Sequence, residues 1–329
     1  MRALLSHAPG GPETLRLDTV PDPQPGPGEL LVRVRACSIN YPDVLIIEDK
    51  YQLKPPRPFA PGSEIAGEVE AVGDGVEGWS AGDRLIAATG FGGLVEKLVI
   101  RASAANPLPR ERSFEEGSAL LLTYATSIHA LLDRGRLRSG QTLLVLGAAG
   151  GVGIAAVEIG KAVGARVIAA ASSDDKAAAA REAGADASLV YPAEPSDPKP
   201  LSQLFKDAVG PSGADVIFDP VGGGYSEAAL RSIAWEGRFL VVGFPAGIAK
   251  LPLNLTLLKT CDVCGVFWGA FAARDPKANA AHVEQLFRWW RDGKIAPKIS
   301  ATYPLDRAGD AIAALRDRKA IGKLVVTLD

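Results

Sequence analysis

Three glycines, Gly150, Gly151 and Gly153, stand where an apolar run gives way to a helical pattern. The segment reads Leu146-Gly147-Ala148-Ala149-Gly150-Gly151-Val152-Gly153, after the strand-like Thr142-Leu143-Leu144-Val145 and before a helix expected over residues 152–163. A helix N-terminus offers free amides and the positive end of a dipole, which suits a pyrophosphate. Gly150 would let the backbone approach the phosphates, and Gly153 would let helix and strand pack closely. The first glycine of G-x-G-x-x-G falls on Ala148, so the strict motif is broken. The strand–loop–helix–strand setting still points to a dinucleotide rather than to a purely structural glycine turn.

The next apolar run, Ala165 to Ala171, ends in Ser172-Ser173. Sites for NAD usually place an acid there to bond the ribose 2′-hydroxyl. None is present. Ser172 and Ser173 supply hydrogen bonds and Lys176 a positive charge, so the expected cofactor is NADPH. Asp174 and Asp175 follow at once and would oppose that preference unless both face solvent. The alternative for Lys176 is an ordinary solvated helix residue.

The elements that must position these residues fit a soluble enzyme of about two domains. The chain has 329 residues, 47% of them apolar and 22% charged. Lysine and arginine total 36 against 38 acids, a formal charge of −2. That balance removes the general electrostatic case for nucleic acid or an anionic membrane. Cys37, Cys261 and Cys264 form a sparse, odd set, which is no disulfide framework and suits a reducing compartment. Residues 1–11 lack an apolar core for a secretory signal. The apolar stretch 143–157 is rich in glycine and is followed closely by Glu158 and Lys161, so a membrane helix is a poor reading. The expected location is cytoplasmic.

Along the chain, the first third reads as short strands between Gly and Pro turns: residues 30–36, 65–72, 83–86 and 94–100. After Pro109, Ser113 and Glu116 mark a helix start, with residues 115–134 largely helical. From Thr142 strands and helices alternate. Strands are expected at 165–171, 190–191, 216–218 and 238–242, and a helix at 176–183. This is the pattern of a parallel sheet covered on both faces. Residues 262–267 read as a strand, 283–291 as helix and Lys323 to Thr327 as a last strand. Pro192 to Pro200 reads as a surface loop. Cys261 and Cys264, three apart on a strand, would point to opposite faces and act as small buried hydrophobes. Of Trp289 and Trp290, one should face inward.

Several further segments carry a resemblance: Asn40-Tyr41-Pro42-Asp43, Pro61-Gly62-Ser63-Glu64-Ile65-Ala66-Gly67, Gly82-Asp83-Arg84, the glycine loop, and Phe218-Asp219-Pro220-Val221-Gly222. Together they resemble the medium-chain dehydrogenase/reductase superfamily, in its quinone oxidoreductase branch, over nearly the whole chain. The resemblance implies an α/β protein: a GroES-like β-rich catalytic domain at residues 1–123, completed by 297–329, and a Rossmann doubly wound parallel-sheet domain at 124–296. It also leans towards a homodimer through an edge strand near Cys261 to Phe267.

The zinc alcohol dehydrogenases of that superfamily place a cysteine where Asn40 stands and a histidine where Ser63 stands. A zinc site needs about three protein ligands, so loss of two should abolish it. His7, His129 and His282 are scattered and offer no substitute. Without a Lewis acid, the easier acceptors are quinones and α,β-unsaturated carbonyls, which delocalise the incoming charge.

The resemblance further implies roles for individual residues. Asn40 and Asp43 would lie near the nicotinamide and Thr126 at its carboxamide end. Gly150, Gly151 and Val152 would hold the pyrophosphate, which Lys323 would also reach. Ser172, Ser173, Lys176 and Tyr191 would face the 2′-phosphate. Gly243 and Phe244 would line the nicotinamide ribose, with Phe267 and Trp268 nearby. The segment Phe267-Trp268-Gly269-Ala270 lacks an arginine that some quinone reductases use on phosphates. Tyr51 is either a proton donor, as in the related enoyl-thioester reductases, or a wall of the substrate pocket. Rival readings are an enoyl-CoA or enoyl-thioester reductase, with Lys50, Lys54 and Arg57 near enough to serve CoA phosphates, and a low-turnover NADPH-binding protein of structural or regulatory role.

Overall fold

In a computed structural model of the protein, residues 1–192 and 198–328 are described. The chain forms two compact units, one of Met1–Leu122 together with the segment that starts at Pro297, the other of Thr123–Ala296.

The first unit is built on a seven-stranded sheet. Its strands run in the order Ile299–Pro304, Lys323–Thr327, Glu29–Ile39, Glu64–Val72, Arg84–Ala88 and Ala105–Pro107, and Lys97–Arg101 pairs with Glu29–Ile39 as well. Val32, Val34, Ile39, Ile65, Val69 and Leu85 fill the core beneath it. The C-terminal strand lies antiparallel to Glu29–Ile39, with Leu324 opposite Ile39 and Thr327 opposite Ala36. One step past the last pair, that register sets Lys323 beside Asn40. A helix at Tyr41–Ile47, which the apolar periodicity had not suggested, follows directly. It starts with Pro42 in its first turn, and the Asp43 carboxylate accepts from the Asn40 amide at 2.7 Å. The Asn-x-x-Asp spacing is therefore also a helix start, in the manner of a capping box.

The second unit holds a six-stranded parallel sheet in the order Ala187–Val190, Arg166–Ala171, Thr142–Val145, Ala214–Asp219, Ile233–Val241, Asp262–Gly265. Written by position in the chain this is 3-2-1-4-5-6, the doubly wound order whose direction reverses between strands one and four. The central strands Thr142–Val145, Arg166–Ala171 and Ala214–Asp219 are largely buried on both faces, which is why their sequences are dominated by continuous apolar runs rather than alternating ones. Helices Gly151–Val163, Asp174–Glu182, Gly224–Leu230 and Pro276–Arg291 connect or cover them. Trp290 is the inward member of the tryptophan pair. Cys261 and Cys264 are buried free thiols.

The helix start at Ser113 is capped as its spacing with Glu116 predicts. Ser113 accepts from the Glu116 amide, and Glu116 accepts from the Ser113 amide, at 3.1 and 3.0 Å. The expected loop over Pro192 to Pro200 is corrected at its end, because a helix spans Pro198–Val209. Its prolines sit in the first turn, where a missing N–H leaves no hydrogen bond unmade. Residues 193–197 of that expected loop lie outside the described residues. No described helix is long and apolar enough to cross a membrane.

One buried carboxylate ties the second unit's cofactor-side helix to both points where the chain enters and leaves that unit. Glu158, on Gly151–Val163, accepts from the Tyr124 hydroxyl at 2.7 Å and from the Ala296 amide at 3.0 Å, both on the same oxygen. Burial pushes its carboxyl up to about 7, against the pull of those two donors. The folded state then holds this proton more tightly than the unfolded chain. Its contribution to stability is full below the ordinary glutamate range and is lost as pH rises through about 7. Glu158→Gln should flatten the fall of Tm between pH 5 and 8, with about 2–4 °C expected per kcal/mol removed in a domain of this size. Thermal scans across that range, set against wild type, read the difference directly.

Candidate active site

In the second unit, the glycine loop sits at the carboxyl end of Thr142–Val145, beside the point where strand order reverses. Gly147 has φ of +56°, a conformation that favours glycine, and a Cβ there would meet Val221 at 2.9 Å. Gly153 is required by packing, since a Cβ would lie 2.2 Å from the Gly147 carbonyl. Gly150 differs. A Cβ there would stand 3.5 Å from the nearest protein atom, an ordinary contact. The protein's own packing does not require that glycine, and its missing side chain leaves the backbone there open to close approach. Gly150 precedes the first helical residue, so the amides of Gly151 and Val152 are among those without intrahelical partners. This donor set fits a pyrophosphate.

The same sheet edge carries the other expected cofactor residues. Asp219 ends the neighbouring strand, is almost fully buried, and accepts from the Val221 and Gly222 amides at 2.9 Å each and from the Ser226 hydroxyl. Burial raises its carboxyl, while those donors hold it down. The loop so formed touches Gly147 through Val221, and Gly222 packs on Phe244. Gly243 donates to the Asp219 carbonyl at 3.3 Å, and the Phe244 ring is exposed. Thr126 lies beside the loop, because its neighbour Ser127 donates to the Val152 carbonyl at 3.1 Å.

At the end of Arg166–Ala171, the Lys176 ammonium reaches the Ser172 hydroxyl at 3.4 Å. Ser173 instead caps the helix, accepting from the Lys176 amide at 3.4 Å. Asp174 and Asp175 are exposed. Tyr191 departs from expectation. It is 5% exposed, and its hydroxyl accepts from the Gly147 amide at 3.2 Å, beneath the glycine loop. Its ring packs on Tyr225, with centroids 4.9 Å apart. It supports the loop from below rather than presenting itself to a phosphate. Trp268 is also committed, donating to Asn279 at 2.8 Å, whereas Phe267 is 55% exposed.

In the first unit, Asn40, Asp43, Ser63, Glu64 and Lys323 form one buried polar cluster. The Lys323 ammonium donates to Asn40 Oδ1 at 2.5 Å and lies 3.6 Å from Glu64. Glu64 further accepts from the Ser38 hydroxyl and the Leu122 amide, both at 2.9 Å. Asp43 accepts from the Gly62 amide at 3.0 Å and from the Ser63 hydroxyl at 3.3 Å, besides the Asn40 amide. Burial lifts the Asp43 carboxyl to about 6.

Two expectations are corrected here. Lys323 does not reach out for a pyrophosphate; it is 4% exposed, with its ammonium turned onto Asn40 and Glu64. Asp43 has no exposed surface and both its oxygens are engaged, so it positions its neighbours rather than touching a substrate. Tyr51 is half-buried on the same core, and burial together with the nearby Asp43 charge raises its phenol, which keeps it protonated. Glu64 is a member of the cluster that its sequence motif alone does not single out. An acid at the head of the apolar run Ile65-Ala66 was a signal that could have marked it.

Residues 26–110 match the model of the alcohol dehydrogenase GroES-like domain, and residues 151–284 that of the zinc-binding dehydrogenases. A quinone oxidoreductase-like protein 2 homolog from Nematostella vectensis is 37% identical over 92% of this chain and 82% of its own. The chain belongs to the medium-chain dehydrogenase/reductase superfamily, in its quinone oxidoreductase branch. Among solved structures, Escherichia coli quinone oxidoreductase complexed with NADPH matches with a TM-score of 0.91 at 28% identity, and covers all of both chains. A mycobacterial protein complexed with NADPH matches with a TM-score of 0.92 at 30% identity, again over all of both chains.

The two glycines of the loop give a paired test. Gly150→Ala should keep the wild-type Tm and weaken dinucleotide binding about tenfold, or about 1.4 kcal/mol. Gly153→Ala should lower both Tm and affinity, because the helix must move off Gly147. Fluorescence titration and thermal scans of the two variants separate the effects. A Gly150→Ala protein with unchanged affinity would contradict the loop's assignment.

Proposed function

We propose that this oxidoreductase uses NADPH to reduce quinones or α,β-unsaturated carbonyls without zinc, as a cytoplasmic homodimer. The observation that carries the reading is the Lys323 ammonium bonded to Asn40 and Glu64. A fixed positive charge stands beside Asn40, which with Ser63 occupies the positions matching the zinc ligands of the alcohol dehydrogenases. An amide and a hydroxyl are poor zinc ligands beside thiolate and imidazole, and a neighbouring ammonium repels a dication.

NADPH would supply the hydride when bound. The chain's own residues bind and orient it: amides of Gly151 and Val152 for the pyrophosphate, and Ser172 with Lys176 for the 2′-phosphate. No acid ends the second strand to repel that phosphate. Asn40 and Tyr51 serve the acceptor, the former as hydrogen-bond donor and the latter as a phenol able to return a proton. The enoyl-thioester reading has support in Tyr51, kept protonated by its surroundings. Against it, Arg57 is engaged by Asp49 and the Ile47 carbonyl at 2.8 and 3.0 Å, and Lys50 by Glu48 at 2.8 Å. Two of the three cations that would serve CoA phosphates are thus occupied.

The dimer reading rests on the second unit's edge strand Asp262–Gly265 and on exposed Ile248, Leu253, Leu257 and Leu258 close to it in sequence. Unpaired strand edges and clustered apolar side chains are interface features. The free buried thiols agree with a reducing compartment.

Two measurements test these proposals. Loss of near-ultraviolet absorbance should be fast with NADPH plus a quinone or enone, unaffected by chelator, and at least about tenfold slower with NADH. Turnover with crotonyl-CoA alone would replace the reading by the enoyl-thioester one. Light scattering should give the mass of two chains, falling to one in Leu257→Glu/Val263→Lys; a wild-type monomer would exclude the dimer.

A further inference from the structure

The buried cluster of the first unit contains one cation, Lys323, and two carboxylates, Glu64 and Asp43. Burial lowers the Lys323 ammonium from the ordinary lysine value, and the two carboxylates act against that. The ammonium can only donate, so the oxygen of the Asn40 amide must be the atom facing it. This fixes which end of the amide points where. The other end, Nδ2, has contacts only at 3.3–3.4 Å, to the Ser38 carbonyl and hydroxyl, the Ser63 hydroxyl and Glu64. Those distances lie beyond the usual range for N–H···O bonds. One side of the amide is tightly held by a positive charge, while its donor side is loosely engaged. A cation on the carbonyl oxygen draws electron density from the amide nitrogen and strengthens its N–H as a donor.

We propose that Lys323 is a positioning residue of the reduction, orienting and polarising the Asn40 amide so that its N–H bonds the acceptor oxygen as negative charge develops there. This rests on the function proposed above. In an enone, bound NADPH would supply a hydride with its electron pair to the β-carbon and would itself be oxidised to NADP⁺. The C=C π-bond shifts towards the carbonyl, whose oxygen gathers the charge until water or Tyr51 returns a proton to the α-carbon. A preorganised donor at that oxygen acts where the charge appears. The relay passes from Lys323 through Asn40, and Lys323 itself touches no substrate.

The test compares wild type with Lys323→Met, Lys323→Arg and the charge-balanced double variant Lys323→Met/Glu64→Gln. The double variant carries the comparison if the single one fails to fold. NADPH affinity is read by fluorescence titration, and kcat and KM with an enone and a quinone. Acceptor affinity is read for the NADP⁺ complex by tryptophan quenching. In Lys323→Met the NADPH affinity should stay within about twofold, while enone kcat falls at least about tenfold and quinone kcat falls less, since the quinone spreads its own charge. Acceptor affinity in the NADP⁺ complex should weaken, and Lys323→Arg should recover part of the loss. A selective loss of NADPH affinity would show that the ammonium serves the cofactor and overturn the proposal. Unchanged enone turnover in Lys323→Met, or in the double variant, would overturn it as well. A wild-type protein that binds NADPH but neither binds nor reduces any quinone or enone would overturn the functional reading together with this one.

Discussion

A lysine ammonium taken out of water loses several kcal/mol of hydration, which only opposite charge and well-placed acceptors can restore. In the first unit that requirement falls on Lys323, and the surrounding structure follows from meeting it. Its partners Asn40 and Glu64 come from the end of one strand and the head of the next, and the C-terminal strand pairs with the first of these, so three successive strands of the sheet must hold a single register. A slip by one residue would turn the ammonium to the opposite face of the sheet and leave Glu64 buried without it. Glu64 is held in turn by Ser38 and the Leu122 amide, and Asp43 by the Asn40 and Gly62 amides. One buried charge thereby orders the start of the helix Tyr41–Ile47, three strands, the backbone at Leu122 and the loop before Ser63.

The second unit meets the same problem with dipoles. Asp219 and Glu158 are buried carboxylates without a bonded cation, satisfied by backbone amides and by the hydroxyls of Ser226 and Tyr124. Both are held above their ordinary range, as expected when donors offset desolvation only in part. Their effect is to shape loops and helix placement rather than to hold charge for chemistry. Asp219 folds the loop that meets Gly147, and Tyr191 supports Gly147 from beneath. The rim at the carboxyl ends of the strands is therefore lined by neutral amides and the positive end of a helix, which favours an anionic ligand.

Local signals in the sequence carried the parallel strands of the second unit, but not its helices Pro198–Val209 and Gly224–Leu230. Continuous apolar runs, the glycine loop and the Ser172-Ser173 strand end are each readable within a few residues, whereas the strand order, which alternation of strands and helices leaves open, comes only with the structure. The first unit was less legible. The helix Tyr41–Ile47 is only two turns long, too short to show apolar periodicity, and its capping arrangement hid inside a motif read for chemistry. Lys323 and Asn40 are 283 residues apart, and no local pattern announces that a strand at the chain's end will bring an ammonium to that amide. Tyr191 was misplaced for a related reason, since a tyrosine at a strand end serves a ligand or the loop above it equally well by sequence.

The architecture of the first unit also bears on which acceptors it can serve. A dication bound directly to a carbonyl oxygen stabilises developing charge by Lewis acidity and needs no help from the substrate. A single ammonium acting through one amide is a weaker electrophile, and the two carboxylates that hold it reduce its field further. The remainder of the stabilisation has to come from the acceptor itself. A quinone gains aromaticity as it accepts electrons, and an enone spreads charge from carbon to oxygen, whereas an isolated aldehyde or ketone concentrates it on one atom. On the proposed function, conjugated acceptors are the ones whose own charge delocalisation would match the limited electrophilic assistance that the cluster of Asn40, Asp43, Glu64 and Lys323 gives.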